Sequence, residues 1–240
     1  MLRLIKNYVK KTRDLIFFCQ DYLNFTSRSD ARFSTKLIDL QLCLGEKNKL
    51  QSFDAHYLYH PAWAARIIAH TKPDKHVDIA SILNFSTLVS AFVPVDYYDY
   101  RPANLHLSNL SSGHCDLTRL DFADESLASL SCMHTVEHIG LGRYGDPIDP
   151  SGDLKAIGEL KRVVKPGGDL LFVVPVGRPK IKFNANRIYS YAAILDYFSG
   201  FTLQDFSLIL DNGQFINQAD PNLVKDQNGG CGCFWFKKLS

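Results

Sequence analysis

Histidine and glutamate side chains cluster in the string HTVEHIG, residues 134–140. His134, Glu137 and His138 have the spacing H-x-x-E-H, which matches the metal-ligand spacing of one class of zinc peptidase. The same residue types also suit acid–base chemistry, because an imidazole titrates near neutral pH and a carboxylate can orient it. The segments around the string decide between the two interpretations.

The surroundings of the string argue against a zinc peptidase. A zinc site of that class needs the motif inside a continuous helix, so that both histidines face the ion. Here an apolar, strand-like segment ends at Met133, and Gly140 and Gly142 limit any helix to about one turn. A further ligand downstream is not obvious, since Glu159 is the only later glutamate. We therefore expect no bound metal.

Length and composition indicate a soluble globular protein. The chain has 240 residues, 46% hydrophobic and 22% charged, which suits one large domain with or without an extension. A net charge of +2 is too small to favour nucleic acid as a partner. The six cysteines include no C-x-x-C pair, which is typical of reduced thiols in an intracellular protein. We expect a cytoplasmic location.

Residues 1–70 are predicted to form a helical extension, and residues 71–240 the main domain. A break at LGEKNKLQSFD separates two helices, and the second is expected to begin at Pro61. The apolar stretch of residues 15–19 is too short to span a membrane. The first helix carries an apolar face that either packs on the domain or attaches weakly to a membrane surface. That face consists of Leu2, Ile5, Val9, Ile16 and Leu23.

Apolar segments alternate with helical patterns along the main domain. This alternation predicts a parallel sheet covered by helices on both faces. Two final strands lack an intervening helix, which predicts an antiparallel strand added at one edge. The helical segment DPSGDLKAIGELKRVV is expected to stop at K-P-G-G, residues 165–168. Buried strands are expected near Val77–Ile82, Pro94–Tyr98, Leu127–Met133 and Leu170–Val176.

Two blocks of sequence resemble class I S-adenosylmethionine-dependent methyltransferases. They are DLTRLDFADESLASLSCMHTVEHIG, residues 116–140, and AIGELKRVVKPGGDLLFVVP, residues 156–175. A longer set of strings, from VDIAS to FNANRIYSY, is similar to an uncharacterised methyltransferase-like family named for its nematode members. The resemblance covers about residues 77–237. It implies an α/β fold: a Rossmann-like three-layer sandwich, mostly parallel with an antiparallel edge strand, preceded by the helical extension.

The resemblance also implies an S-adenosylmethionine site at the carboxyl ends of the strands. It places Asp99 on the two ribose hydroxyls, with Arg101 orienting Asp99 or binding a substrate anion. Asp116 would contact the adenine amino group while Leu117 packs on the ring, although Asp116 also fits a plain helix N-cap. The implied cofactor-binding residues are Asp78, Ala80, Ser81, Asp99, Arg101, Asp116, Leu117 and Met133.

The first loop departs from the family pattern D-x-G-x-G-x-G. All three glycines, which permit positive φ and leave no Cβ near the ligand, are replaced. Either the loop follows another path, with Ser81 or Ser86 hydroxyls replacing backbone contacts, or cofactor binding is weak or lost. The aligned positions are Asp78, Ala80, Ile82 and Asn84.

The reaction site is expected directly after the fourth strand, where the resemblance places the transferred methyl group. An oxygen acceptor must lose a proton, so His134 or His138 is expected to act as the base. Glu137 would fix a histidine tautomer or bind a sugar hydroxyl, and His138 alternatively bonds to a backbone carbonyl as a packing residue. Acceptor contacts are expected from Arg143, Tyr144, Asp146, Arg187 and Tyr189.

Two hypotheses follow for function. The first is methyl transfer from S-adenosylmethionine to a hydroxyl of a small molecule or glycan. The second is a non-catalytic methyltransferase-like domain that binds a ligand or partner. Both exclude nucleic acid and a stable membrane span, and neither defines the acceptor or the oligomeric state.

Overall fold

The computed structural model describes residues 2–28, 32–33, 35–47 and 51–240. The chain divides into two compact units between Phe53 and Asp54. Each unit has its own secondary structure, and the sheet lies entirely in the second.

The first unit contains the long helix α1 (Leu2–Thr26) and a 3₁₀ turn (Leu37–Asp39). Within the predicted apolar face, Val9, Ile16 and Leu23 are exposed. The side chains of Leu2 and Ile5 lie outside the described part of the chain. In the portions of the chain that the structure describes, no helix is both long enough and apolar enough to cross a bilayer.

The second unit begins with helix α2 (Ala55–Thr71). The carboxylate of Asp54 caps this helix by accepting a hydrogen bond from the backbone N–H of Tyr57. The predicted start at Pro61 is therefore wrong: the cap lies earlier, and Pro61 is accommodated inside the helix. The predicted domain boundary at residues 70–71 falls at the C-terminal end of α2.

An eight-stranded sheet forms the centre of the second unit, with strand order β3-β2-β1-β4-β5-β10-β8-β9. The first five strands are parallel, and β10 lies antiparallel between β5 and β8. This confirms the predicted parallel sheet with antiparallel addition. The strands are β1 (His76–Ile79), β2 (Val95–Asp99), β3 (Leu110–His114), β4 (Leu127–Met133), β5 (Val164–Val176), β8 (Phe201–Ile209), β9 (Phe215–Ile216) and β10 (Gly230–Lys238); β6 (Lys180–Lys182) and β7 (Asn186–Ile188) form a separate hairpin.

Helices cover both faces of this sheet. Besides α2 they are α3 (Leu83–Val89), α4 (Gly152–Val163) and α5 (Tyr191–Tyr197). One core cluster joins α4 and α5 to the sheet, and a second joins α2 and α3 to its other face. The three layers confirm the predicted Rossmann-like sandwich.

The apolar spacing of the sequence predicted helix α4 correctly but placed its C-terminal end slightly too late. Its buried residues Ala156, Ile157, Leu160 and Val163 recur at helical spacing. The helix ends at Val163, and β5 starts at Val164, before K-P-G-G. The turn residues form an irregular entry to β5, where the pairing register with β4 shifts.

Candidate active site

Three adjoining cavities lie where the parallel strands end, as expected for an open α/β sheet. Their volumes are about 460, 280 and 140 Å³. His138 and Tyr144 line all three, so the cavities meet at these two side chains. The residues predicted from the sequence can be placed relative to this junction.

Asp78 supports the first loop from beneath. Its buried carboxylate accepts hydrogen bonds from the hydroxyls of Ser81, Ser86 and Ser131, and the ring of His76 bonds Ser131 in turn. Burial raises the pKa of Asp78 to about 6, while the hydroxyl donors oppose the shift. Asp78 therefore shapes the loop, and its oxygens are engaged with protein.

The glycine-free loop keeps a glycine-like backbone at one position. Ala80 has a φ of +56°, so alanine occupies the left-handed region where the family pattern has its first glycine. Ile82 has an ordinary φ of −60°, and its side chain lines the 460 Å³ cavity with Ser81 and Met133. Of the missing glycines, the first is the one whose conformation the loop retains.

Asp99 is at the C-terminal end of β2 and lines the 140 Å³ cavity together with Ala80, Arg101, His134 and His138. One carboxylate oxygen accepts from the backbone N–H of Arg101 at 2.8 Å, and the other from the hydroxyl of Tyr97 at 3.0 Å. A carboxylate has about four acceptor sites, so Asp99 retains capacity for two further donors.

Asp116 and Leu117 line the 280 Å³ cavity. The Asp116 carboxylate accepts from the backbone N–H and the hydroxyl of Thr118, as in a local Asx turn. The helix N-cap alternative for Asp116 is therefore wrong, because the described chain runs from β3 to β4 without a helix and the carboxylate closes only this turn. Leu117 is buried and offers an apolar surface to the cavity.

His134 and Glu137 form a buried pair after β4. The residues after Met133 make only a single 3₁₀ turn, Val136–His138, as the following glycines predict. The Nδ1–H of His134 donates to Oε1 of Glu137 at 2.9 Å. His134 also has a φ of +55°, a strained conformation of the kind found at functional sites. Oε2 of Glu137 is buried without a hydrogen-bond partner among the described residues.

His138 has its other nitrogen available at the cavity junction. Its Nδ1–H donates to the carbonyl of Ala185 at 2.6 Å, which is the backbone contact anticipated for a packing role. In the neutral ring this leaves Nε2 as the acceptor nitrogen. Oε1 of Glu137 lies 3.8 Å from that nitrogen. The contact with Ala185 therefore selects the tautomer that a general base requires.

The loop after the motif brings Arg143 and Tyr144 to the cavities. The guanidinium groups of Arg101 and Arg143 lie over the Tyr144 ring, 4.8 and 5.1 Å from its centroid. Asp146 instead accepts from the backbone N–H groups of Gly140 and Tyr144. Partial burial raises the pKa of Asp146, but these donors outweigh it and the pKa is lowered. Asp146 therefore holds the loop.

Arg187 and Tyr189 also hold this loop and lie outside the lining of the three cavities. The buried guanidinium of Arg187 donates to the carbonyls of Ile139 and Pro150. Asp153 accepts from the hydroxyl of Tyr189 at 2.9 Å and lies 3.5 Å from Nε of Arg187. The structure thus places these two predicted acceptor-binding residues behind the loop.

Sequence reasoning missed the contributions of α2 and of Lys182 to the cavity wall. His56 and Tyr57 from α2 line the 460 Å³ cavity, as do Lys182 and Asn186 from the hairpin. A signal was available for His56. It lies four residues before His60, so a helix through both would place the two histidines on one face. It was overlooked because the helix was expected to start after them.

Comparison with solved structures identifies the same fold in methyltransferases. The chain matches the Burkholderia thailandensis 1,6-didemethyltoxoflavin-N1-methyltransferase, solved with S-adenosylhomocysteine, with a TM-score of 0.53 and 12% identity over 76% of this chain and 79% of that one. It matches N-methyltransferase NodS of Bradyrhizobium japonicum, also with S-adenosylhomocysteine, with a TM-score of 0.52 and 11% identity over 75% and 86%. At such identities the likeness shows the fold alone.

Sequence comparison assigns the family. A search of curated proteins finds no match. A family model matches residues 95–217, just over half of the 240 residues, and spans β2 to β9, including Asp99, the H-x-x-E-H motif and the loop behind it. The chain therefore belongs to the family described as "Caenorhabditis protein of unknown function, DUF268".

Proposed function

We propose that this protein is an S-adenosylmethionine-dependent methyltransferase that acts on a hydroxyl of a small polar or glycan-type acceptor. The observation that carries the proposal is the lining of the 140 Å³ cavity, which joins Ala80, Asp99 and Arg101 to His134 and His138. A carboxylate suited to a ribose and an imidazole suited to a base thus face one space.

The adjoining cavities supply room for the rest of the cofactor and for an acceptor. The apolar side chain of Leu117 beside Asp116 suits an adenine ring in the 280 Å³ cavity. The 460 Å³ cavity has Met133, Glu137 and Tyr144 on its wall and is assigned to the methionine part and the acceptor. Oε2 of Glu137, which has no hydrogen-bond partner in the described part of the chain, suits a hydroxyl or ammonium donor there.

His138 is the proposed general base. Its Nδ1–H is committed to Ala185, so Nε2 is the nitrogen that can take a proton from an acceptor hydroxyl. Methyl transfer itself is an in-line displacement that depends on holding the two reactants in position. The base adds to this by removing the hydroxyl proton as the new bond forms.

A transfer assay tests this function. Full-length protein with methyl-labelled S-adenosylmethionine should label an acceptor within a panel of sugars and polyols. His138→Gln should lower the rate about 10²–10⁴-fold, the usual contribution of a general base. His106→Gln, which changes an exposed histidine away from the cavities, should leave it unchanged. Cofactor binding without transfer to any hydroxyl acceptor would favour the ligand-binding alternative.

A further inference from the structure

Three metal-ligating side chains converge beside the 460 Å³ cavity. They are His56 on α2, His134 after β4 and Cys231 on β10, and their candidate ligand atoms all lie within 4.8 Å of one another. Nε2 of His134 is 3.3 Å from Sγ of Cys231. A tetrahedral zinc ion holds an imidazole nitrogen and a thiolate sulfur about 3.6 Å apart, as follows from its bond lengths. This pair thus already has nearly the separation that one ion requires.

The hydrogen bonds of His134 orient it as a metal ligand. Glu137 accepts a hydrogen bond from Nδ1–H, so in the neutral ring the lone pair is on Nε2, the nitrogen that faces Cys231. A carboxylate bonded to the far nitrogen of a ligating histidine is the usual support of zinc sites. Glu137 is itself buried, which keeps this support out of competition with water.

The chemistry of the three side chains suits a divalent ion, and a buried polar atom beside them lacks a hydrogen-bond partner among the described residues. Neutral imidazoles are the ligating form, and a divalent ion would convert the thiol to thiolate. The ring of His60 lies 5.0 Å from that of His134, and its buried Nε2 has no hydrogen-bond partner within the described ranges.

We propose that this protein binds one zinc ion through His56, His134 and Cys231. Two imidazoles and one thiolate form a ligand set that zinc prefers, and three protein ligands leave a fourth position for water or another oxygen ligand. Because His56 and His134 also line the 460 Å³ cavity, the ion would lie at the wall of that cavity. The inference concerns ion binding and stands whether or not the chain transfers methyl groups.

This site differs from the zinc peptidase site considered at the outset. It uses one histidine of H-x-x-E-H and takes its other ligands from distant parts of the chain. The expectation of no metal rested on the one-turn limit after His134 and on the lack of an obvious ligand downstream, and the motif indeed forms only one 3₁₀ turn.

Cobalt substitution of the full-length protein tests the proposal. Chelator-treated protein titrated with Co²⁺ should bind one equivalent, develop a sulfur-to-cobalt charge-transfer band and lose it on addition of Zn²⁺. Cys231→Ser should abolish the band, and His56→Gln should weaken binding more than Glu137→Gln, which should weaken it about 10–100-fold with the band retained. Cys233→Ser, which changes a buried cysteine on the same strand, should retain the band and the stoichiometry.

Circular dichroism shows whether each variant is folded, and a loss of binding counts only for a folded variant. The proposal is overturned if folded wild-type protein shows no charge-transfer band at one equivalent of Co²⁺. It is also overturned if folded Cys231→Ser binds as tightly as wild type with the band intact, or if Cys233→Ser removes the band. Should Cys231→Ser unfold, the wild-type spectrum and the Glu137→Gln affinity still decide the matter.

Discussion

At the scale of single residues, Ala80 shows how the first loop replaces a glycine. A left-handed φ destabilises a residue that has a Cβ by about 1–2 kcal/mol. Replacing that residue with glycine relieves this strain but loses about 0.5–1 kcal/mol, because glycine has more conformational entropy in the unfolded chain. The loop therefore keeps the backbone path of the family pattern under strain.

Ala80→Gly should raise the free energy of unfolding by about 0.5–1 kcal/mol, since relief of the strain exceeds the entropic cost. Chemical denaturation measures the change. The matched control is Ala128→Gly, at an exposed strand position without positive φ, which should instead lower stability by about 0.5–1 kcal/mol. A destabilising effect at Ala80 would mean that the methyl group packs usefully and the strain argument is wrong.

Buried neutral histidine makes stability depend on pH. Burial lowers the pKa of His76 to about 3, whereas the unfolded value is near 6.5. Its stabilising contribution is therefore complete above pH 6.5 and is lost as the pH falls toward 3, because the unfolded chain binds the proton first. Asp78 acts in the opposite sense, since its raised pKa, about 6, favours the folded state at lower pH.

His76→Gln should flatten the fall of the urea midpoint between pH 6.5 and 4.5, since glutamine can bond Ser131 but does not titrate. Asp78 is present in both proteins and acts in the opposite sense, so it does not produce the fall that the substitution removes. His70→Gln, in an exposed position on α2, should preserve the wild-type slope. Equal slopes for wild type and His76→Gln would show that His76 does not carry the effect.

At the scale of elements, the loop from residues 139 to 153 is held by Arg187. This side chain is buried against two backbone carbonyls and the carboxylate of Asp153. Gly140 allows the two ends of the loop to pack closely, because a Cβ there would lie 2.0 Å from the carbonyl oxygen of Asp149. The loop is thus a rigid wall of the cavities.

Arg187→Met should lower the free energy of unfolding by about 3 kcal/mol, because it leaves the buried Asp153 carboxylate without its cation. It should also expose the loop to limited proteolysis near Tyr144. Arg178→Met, which removes an exposed arginine nearby, should change stability by less than about 0.5 kcal/mol. If Arg187→Met is cleaved no faster than the wild type, other contacts hold the loop.

Helices and strands were predicted correctly where the hydrophobic periodicity of the sequence was strong. A strand that depends mainly on pairing with a distant segment was missed. The apolar strands β1, β2, β4 and β5 were found from sequence. Strand β3 was missed because LSSGH is polar and only partly buried, so its pairing with β2 leaves no alternating pattern. The start of α2 was missed because proline outweighed the better cap at Asp54.

At the scale of the whole molecule, the sequence predicts the sheet, its two helical faces and the place of the site. Asp99 after β2 and the motif after β4 were identified through the resemblance to methyltransferases, which places the cofactor and the methyl group at the carboxyl ends of these strands. The wall from α2, and the meeting of His56 with His134 and Cys231, depend on tertiary packing between segments far apart in sequence. Local pattern contains no information on such packing, and the same holds for Arg187, whose partners are backbone carbonyls and the Asp153 carboxylate, all far from it in sequence.

The central claim is that the junction of the three cavities binds S-adenosylmethionine. Calorimetric titration of the full-length protein with S-adenosylhomocysteine tests it most directly. We expect a one-to-one complex that Asp99→Ala weakens at least ~10-fold, since charged hydrogen bonds are worth about 1.5–3 kcal/mol each and 1.4 kcal/mol is a decade. Asp74→Ala, which removes an exposed acid before β1, should bind as wild type does. No heat at about millimolar ligand, for both wild type and Ile82→Gly, would contradict the account.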